Sequence, residues 1–145
     1  SLIDTSPRFS VRHIMSTSPI VTDLARRHAR MATTFFQQGI PVETAWERIA
    51  SRAHTLGPSR FYELKDHCDL NVICITTANA HDDPLLSSVQ AADFARRIQH
   101  VHKTHKLPLA ELVLRLARAQ ELNLRQTAQV ARACGIELPT PHARD

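Results

Sequence analysis

The sequence predicts an all-α fold, a compact bundle of five or six amphipathic helices, and three observations carry that prediction. Only three glycines occur in 145 residues, and each stands where a helix ought to stop: Gly39 before Pro41, Gly57 before Pro58, and Gly135 ahead of Pro139. Glycine supplies the left-handed backbone that closes a helix, and a proline soon after keeps the helix from resuming. Between these stops lie stretches rich in Ala, Leu, Arg and Gln with apolar residues at helical spacing. Finally, residues 72–77 (Val-Ile-Cys-Ile-Thr-Thr) are β-branched enough to pass for a strand, but no second candidate exists to pair with them. A lone strand would leave its backbone groups unsatisfied, so helix is the expectation there too.

The elements follow in order. Residues 1–17 hold Ser1, Thr5, Ser6, Pro7, Ser10, Ser16 and Thr17 and read as an extended N-terminal arm, a composition that also suits the secretion signal of a bacterial effector. Ser18 and Pro19 begin the first helix, as an N-cap hydroxyl with proline in the first turn. Ile20, Leu24, Met31 and Phe35 then recur up to Gly39, with Arg26, Arg27 and Arg30 on the outer side. Pro41 opens the second helix, whose Val42, Ala45, Trp46, Ile49, Ala53 and Leu56 form the cleanest apolar stripe. Trp46, the one tryptophan, is expected to anchor the core there.

The third helix begins at Pro58 and carries Phe61, Leu64, Cys68, Val72 and Ile75 on one face. The short connection at Gly57 makes it an antiparallel neighbour of the second, and these two are expected to supply much of the core. Asp83, with Pro84 behind it, is the expected cap of a fourth helix striped by Ala91, Phe94, Ile98 and Val101 and ending near Lys106. Leu109, Leu112, Val113 and Leu116 mark a fifth helix. Asn123 and Gln126 form a capping-box pattern that starts a sixth over 124–134. The resulting organisation is an arm at 1–17, one helical domain at 18–138 and a tail at 139–145.

A domain of this length hides roughly 70% of its unfolded surface, enough for a core without metal or disulfide staples. Cys68, Cys74 and Cys134 are odd in number. Six residues of helix separate the first two by about 9 Å of rise, beyond disulfide reach. Three buried free thiols in a reducing, cytoplasmic compartment are the expectation, with a secreted effector as the other case. No apolar run approaches the ~20 residues that span a bilayer, and no secretory apolar segment is present. Ser1 stands where an initiator methionine would, so a processed product or a piece of a longer chain is expected.

The net charge of +4 permits, without demanding, an anionic partner. Its sharpest concentration is a basic strip of Arg96, Arg97, His100, His102, Lys103, His105 and Lys106, continued by Arg115 and Arg118 and offset only by Glu111. Glu63, Asp66, Asp69, Asp82 and Asp83 gather instead in the middle of the chain. Arg96, Arg97, Lys103, Lys106, Arg115 and Arg118 are therefore the candidate phosphate-binding residues, for nucleic acid or an anionic membrane. Cations in a last helical turn also stabilise the macrodipole by about 0.3–1 kcal/mol each with no ligand at all. Aromatic residues do not interleave with the strip, which weighs against single-strand binding.

The run Ala131, Arg132, Ala133, Cys134, Gly135, Ile136 resembles the middle of a helix-turn-helix, where a small residue, a glycine turn and an aliphatic re-entering the core follow one another. The pattern departs where a recognition helix should begin, because Pro139 and Pro141 interrupt the residues after Glu137. A helix closed by Gly135 accounts for the same residues. No metal is expected: His100 and His102 point apart on a helix, and His102 with His105 have no carboxylate or thiol one turn away. Nor is a nucleophile: His67 and Cys68 are sequence neighbours, which do not face each other on a helix.

The sequence thus leads to a non-enzymatic interaction module, an adaptor, regulator or targeting domain of bacterial type, without cofactor, catalytic residue or small-molecule substrate. Its expected partner is a protein. Two alternatives use the basic strip: a nucleic-acid-binding regulator working through the C-terminal helices, and a phosphoinositide-targeting domain of a larger effector.

Overall fold

The computed structural model describes residues 18–141, so the N-terminal arm and the last four residues of the expected tail lie outside the described residues. These form an all-α bundle of six helices: α1 (Pro19–Gln38), α2 (Glu43–Ala53), α3 (Pro58–Thr76), α4 (Ser88–His105), α5 (Leu109–Ala119) and α6 (Leu124–Ala133). No strand occurs among them, and residues 72–76 are the last turn and a half of α3.

α3 is the central element, touching α1 and α2 on one side and α5 and α6 on the other. That position explains its sequence. A helix buried on two sides has no single apolar stripe, and Leu70, Asn71 and Cys74 are buried alongside Leu64, Cys68 and Ile75. The β-branched run is core helix, because burial outweighs its weak helix propensity.

Two small clusters fill the space between α1, α2 and α3, around Leu24, Ile49 and Leu64 and around Ala32, Ala45 and Ile75. The larger cluster lies on the other side, where Leu70 meets Ile98, Leu107, Leu112, Val113, Leu116, Val130 and Ala131. Helices α4 to α6, more than α2, therefore carry the core. Within α2 the anchor is Ile49, 1% exposed. Trp46 is half-buried, with its ring edge-on to Phe61 at 5.8 Å and the Lys65 ammonium 5.4 Å from its centre.

The local signals for helix ends hold with one exception. The Ser18 hydroxyl accepts from the Ile20 N–H, and Gly39 closes α1 at φ 78°. Asn123 and Gln126 cap α6 reciprocally. The exception is α4, which starts at Ser88 with a capping box from Ser87 and Gln90, four residues beyond the expected Asp83 cap. Residues 84–86 bind α6 instead: Gln129 exchanges two hydrogen bonds with the Leu86 backbone, and the Asn123 amide donates to the Pro84 carbonyl. A tertiary ladder outcompetes the local cap.

Among the described residues after Gly135 there is no further helix. Residues 136–141 return beside α3 and α6, burying Ile136. Their anchor is the Pro139 carbonyl, which accepts from the Cys74 thiol at 3.1 Å and from Arg132 at 3.1 Å. Pro139, the first residue of the expected tail, is thereby tied to α3 and α6.

Candidate functional site

The six expected phosphate-binding residues differ in burial and in partners. Arg115 is buried, with its Nε 3.4 Å from Glu111 Oε2 and only 7% of its side chain exposed. It belongs to the interior, because α5 is enclosed along most of its circumference. Arg96 and Arg97 are exposed, but both donate to Asp93, at 2.7 Å and 3.0 Å. The Arg96 hydrogen bond, followed by the charges of Arg97 and Arg96, lowers the Asp93 pKa. Arg97 also lies 5.6 Å from the centre of the ring of Phe94, which precedes the strip.

Lys103 and Lys106 are exposed at the C-terminal end of α4. Lys106 is itself the cap, in left-handed backbone at φ 58°, and the His102 Nδ1–H donates to the Leu107 carbonyl just beyond it. Arg118 is exposed near the far end of α5, about 14 Å along its axis from Leu109. The strip thus comprises a pair tied to Asp93, a pair at the end of α4, one exposed arginine on α5 and one buried arginine. The missed signal was Asp93, three and four residues before Arg96 and Arg97, a spacing at which charges meet on a helix.

The central acidic residues separate in the same way. Glu63 and Asp66 are buried in α3, the Asp69 carboxylate pairs with Lys65, and Asp82 and Asp83 sit in an exposed loop.

What the fold does build is a cleft of about 650 Å³ between α1, the middle of α3, the start of α5 and residues 135–139. That volume is in the range of ligand and peptide sites. One wall is a face of α1: Thr22, Ala25, Arg26, Ala29, Arg30 and Thr33. The threonine hydroxyls are occupied by the helix's own carbonyls, Thr22 with Ser18 and Thr33 with Ala29. Ala25 and Ala29 leave room where larger side chains would close the gap. Leu109, Ile136, Leu138 and Pro139 form the opposite apolar side, with His67 and Asn71 at the floor. Arg26 reaches across to Glu137 at 3.7 Å, whereas Arg30 has no ion pair among the described residues and carries a free charge at the rim. Sequence reading placed these α1 arginines on an outer face. Only the return of residues 135–139 makes that face a wall.

Beneath the floor, His28 is fully buried. The Asn71 amide nitrogen lies 3.3 Å from both the Ala25 carbonyl and His28 Nδ1. Asn71 is therefore the donor, and the neutral imidazole carries its proton on Nε2, which has no hydrogen-bond partner among the described residues. Burial, then the charge of Lys65, lowers the His28 pKa from 6.5 to about 4 against an opposing effect of Asp69. Burial also lowers His67.

The three cysteines are free and buried. Burial pushes the Cys68 thiol up to about 12 and Cys134 to about 11, and raises Cys74 despite Arg132 beside it. Thiols held this way are poor nucleophiles at neutral pH. Among the described residues no group of three or more His, Cys, Asp and Glu could hold a metal ion, and no helix is long and apolar enough to cross a membrane. No family model matches the chain, and no curated protein or solved structure matches it significantly.

Proposed function

We propose that this chain is a non-enzymatic interaction domain that seats a segment of a partner protein in the cleft between α1, α3 and residues 135–139. The observation that carries the reading is the cleft itself: about 650 Å³, apolar along Leu109, Ile136, Leu138 and Pro139 and at Ala25 and Ala29, and edged by Arg30, which has no ion pair among the described residues. Burying apolar side chains against Ala25, Ala29, Leu109 and Leu138 supplies the attraction, and a charge at the rim sets the register. The matching partner segment is apolar with an acidic residue beside it, because Arg26 and Arg30 outnumber Glu137 along the edge.

A displayed peptide library selected on the full chain tests this. Enriched sequences should pair apolar residues with Asp or Glu. They should bind at least tenfold more weakly to Ala29→Trp, which fills the cleft, and to Arg30→Glu, which reverses the rim charge. Selected peptides that bind both variants as well as the wild type would place the interaction elsewhere.

A further inference from the structure

A second cleft, distinct from the one above, opens where the first turn of α1 meets the turn between α2 and α3. It has a volume of about 630 Å³. Its apolar walls are Pro19, Ile20, Leu24 and Leu56, and its polar groups are Asp23, Arg52, Thr55 and Arg60. Arg52 and Arg60 are eight residues apart in sequence, on different helices. The tight turn at 54–57, with Gly57 at φ 86° and ψ 162°, brings both arginines to the lining of one cavity.

Two like charges sharing a cleft repel unless an anion lies between them. Neither arginine has an ion pair among the described residues. The carboxylate on the wall, Asp23, lies 3.9 Å from Arg27, so its charge is shared with a third arginine. The Thr55 hydroxyl donates to the Arg52 carbonyl at 2.8 Å, which leaves its oxygen lone pairs as neutral acceptors that balance no charge. Among the described residues the cavity thus holds two arginines without an ion pair, beside Asp23 and an apolar wall.

We propose that Arg52 and Arg60 form a binding site for a phosphomonoester whose organic part rests on Ile20 and Leu56. Two planar guanidinium forks suit a tetrahedral oxyanion, since each can direct paired N–H donors at it. A phosphomonoester carries close to two negative charges at neutral pH, enough to balance both arginines. Ile20 is 53% exposed, an unusual position for isoleucine at a helix start, and would be covered by the ester's apolar group. The ester is either a soluble phosphate or the headgroup of a lipid such as phosphatidic acid.

The test is a titration of the full chain with phenyl phosphate, followed by calorimetry and by backbone amide shifts. A parallel arm uses phosphatidylcholine vesicles with and without phosphatidic acid. Arg52→Gln and Arg60→Gln are compared with Arg118→Gln, an exposed arginine elsewhere, and melting curves confirm that all three remain folded. Saturable binding in either arm that falls about tenfold or more in Arg52→Gln and Arg60→Gln, but not in Arg118→Gln, supports the site. The arm that binds identifies the source of the phosphate. Equal losses in all three variants would reduce the effect to net charge, and no saturable binding in either arm would overturn the proposal.

Discussion

His28 should make this fold sensitive to acid, and the size of the effect follows from its surroundings. The imidazole is fully buried and accepts at Nδ1 from Asn71. Protonation would set a new N–H against that amide donor and bury a charge near Lys65. The folded pKa of about 4 is below the unfolded value of 6.5. The stabilisation from a neutral His28 is therefore fully present above pH 6.5 and is lost as pH falls from 6.5 toward 4. The gap limits the loss to about 3 kcal/mol, and the linkage relation places about 2 kcal/mol of it between about pH 7.5 and about pH 5. His67, lowered by burial, adds in the same direction. Urea unfolding across this range should show the decline for the wild type, and His28→Gln should flatten it by about 2 kcal/mol while lowering stability at neutral pH. A variant whose stability falls as steeply as the wild type would show that His28 is not the group that titrates.

Other outcomes follow from the packing. Ile49→Ala should cost about 3–4 kcal/mol in urea unfolding, and Trp46→Ala about 2 kcal/mol, because the half-exposed tryptophan leaves no closed cavity. The reverse order would make Trp46 the anchor. Asn123→Ala should cost about 1–2 kcal/mol, since its side chain caps α6 and also donates to the Pro84 carbonyl. Lys106→Gly should raise stability by about 0.5–1 kcal/mol by relieving left-handed backbone at φ 58°; a lowered unfolding midpoint would contradict this. Intact-mass measurement should find the three thiols slow to alkylate in the folded protein, and all three modified after denaturation without prior reduction.

Local chemistry made the helices legible. The Ser18 cap, the Gly39 and Gly135 stops and the Asn123–Gln126 capping box depend on neighbours within a few residues, and the chain displays those directly. The all-α class, the approximate span of each helix and the buried thiols followed from the same signals. The start of α4 was misread because Pro84 and Leu86 are held by Asn123 and Gln129, which lie about 40 residues away in sequence.

The candidate sites were much less legible. A run of basic residues looks continuous along a sequence, but each charge takes the partner its helix face presents: Asp93 for Arg96 and Arg97, Glu111 inside the core for Arg115. Conversely, Arg30 was an ordinary exposed cation until residues 135–139 folded back to the same cleft, and Arg52 and Arg60 line one cavity only through the turn between their helices. Sequence alone determined the all-α class and most of the helix ends, because caps and periodicity are short-range. Which charges are free, and which surfaces face one another, was decided by the tertiary structure, because Coulomb interactions and clefts depend on distance in space.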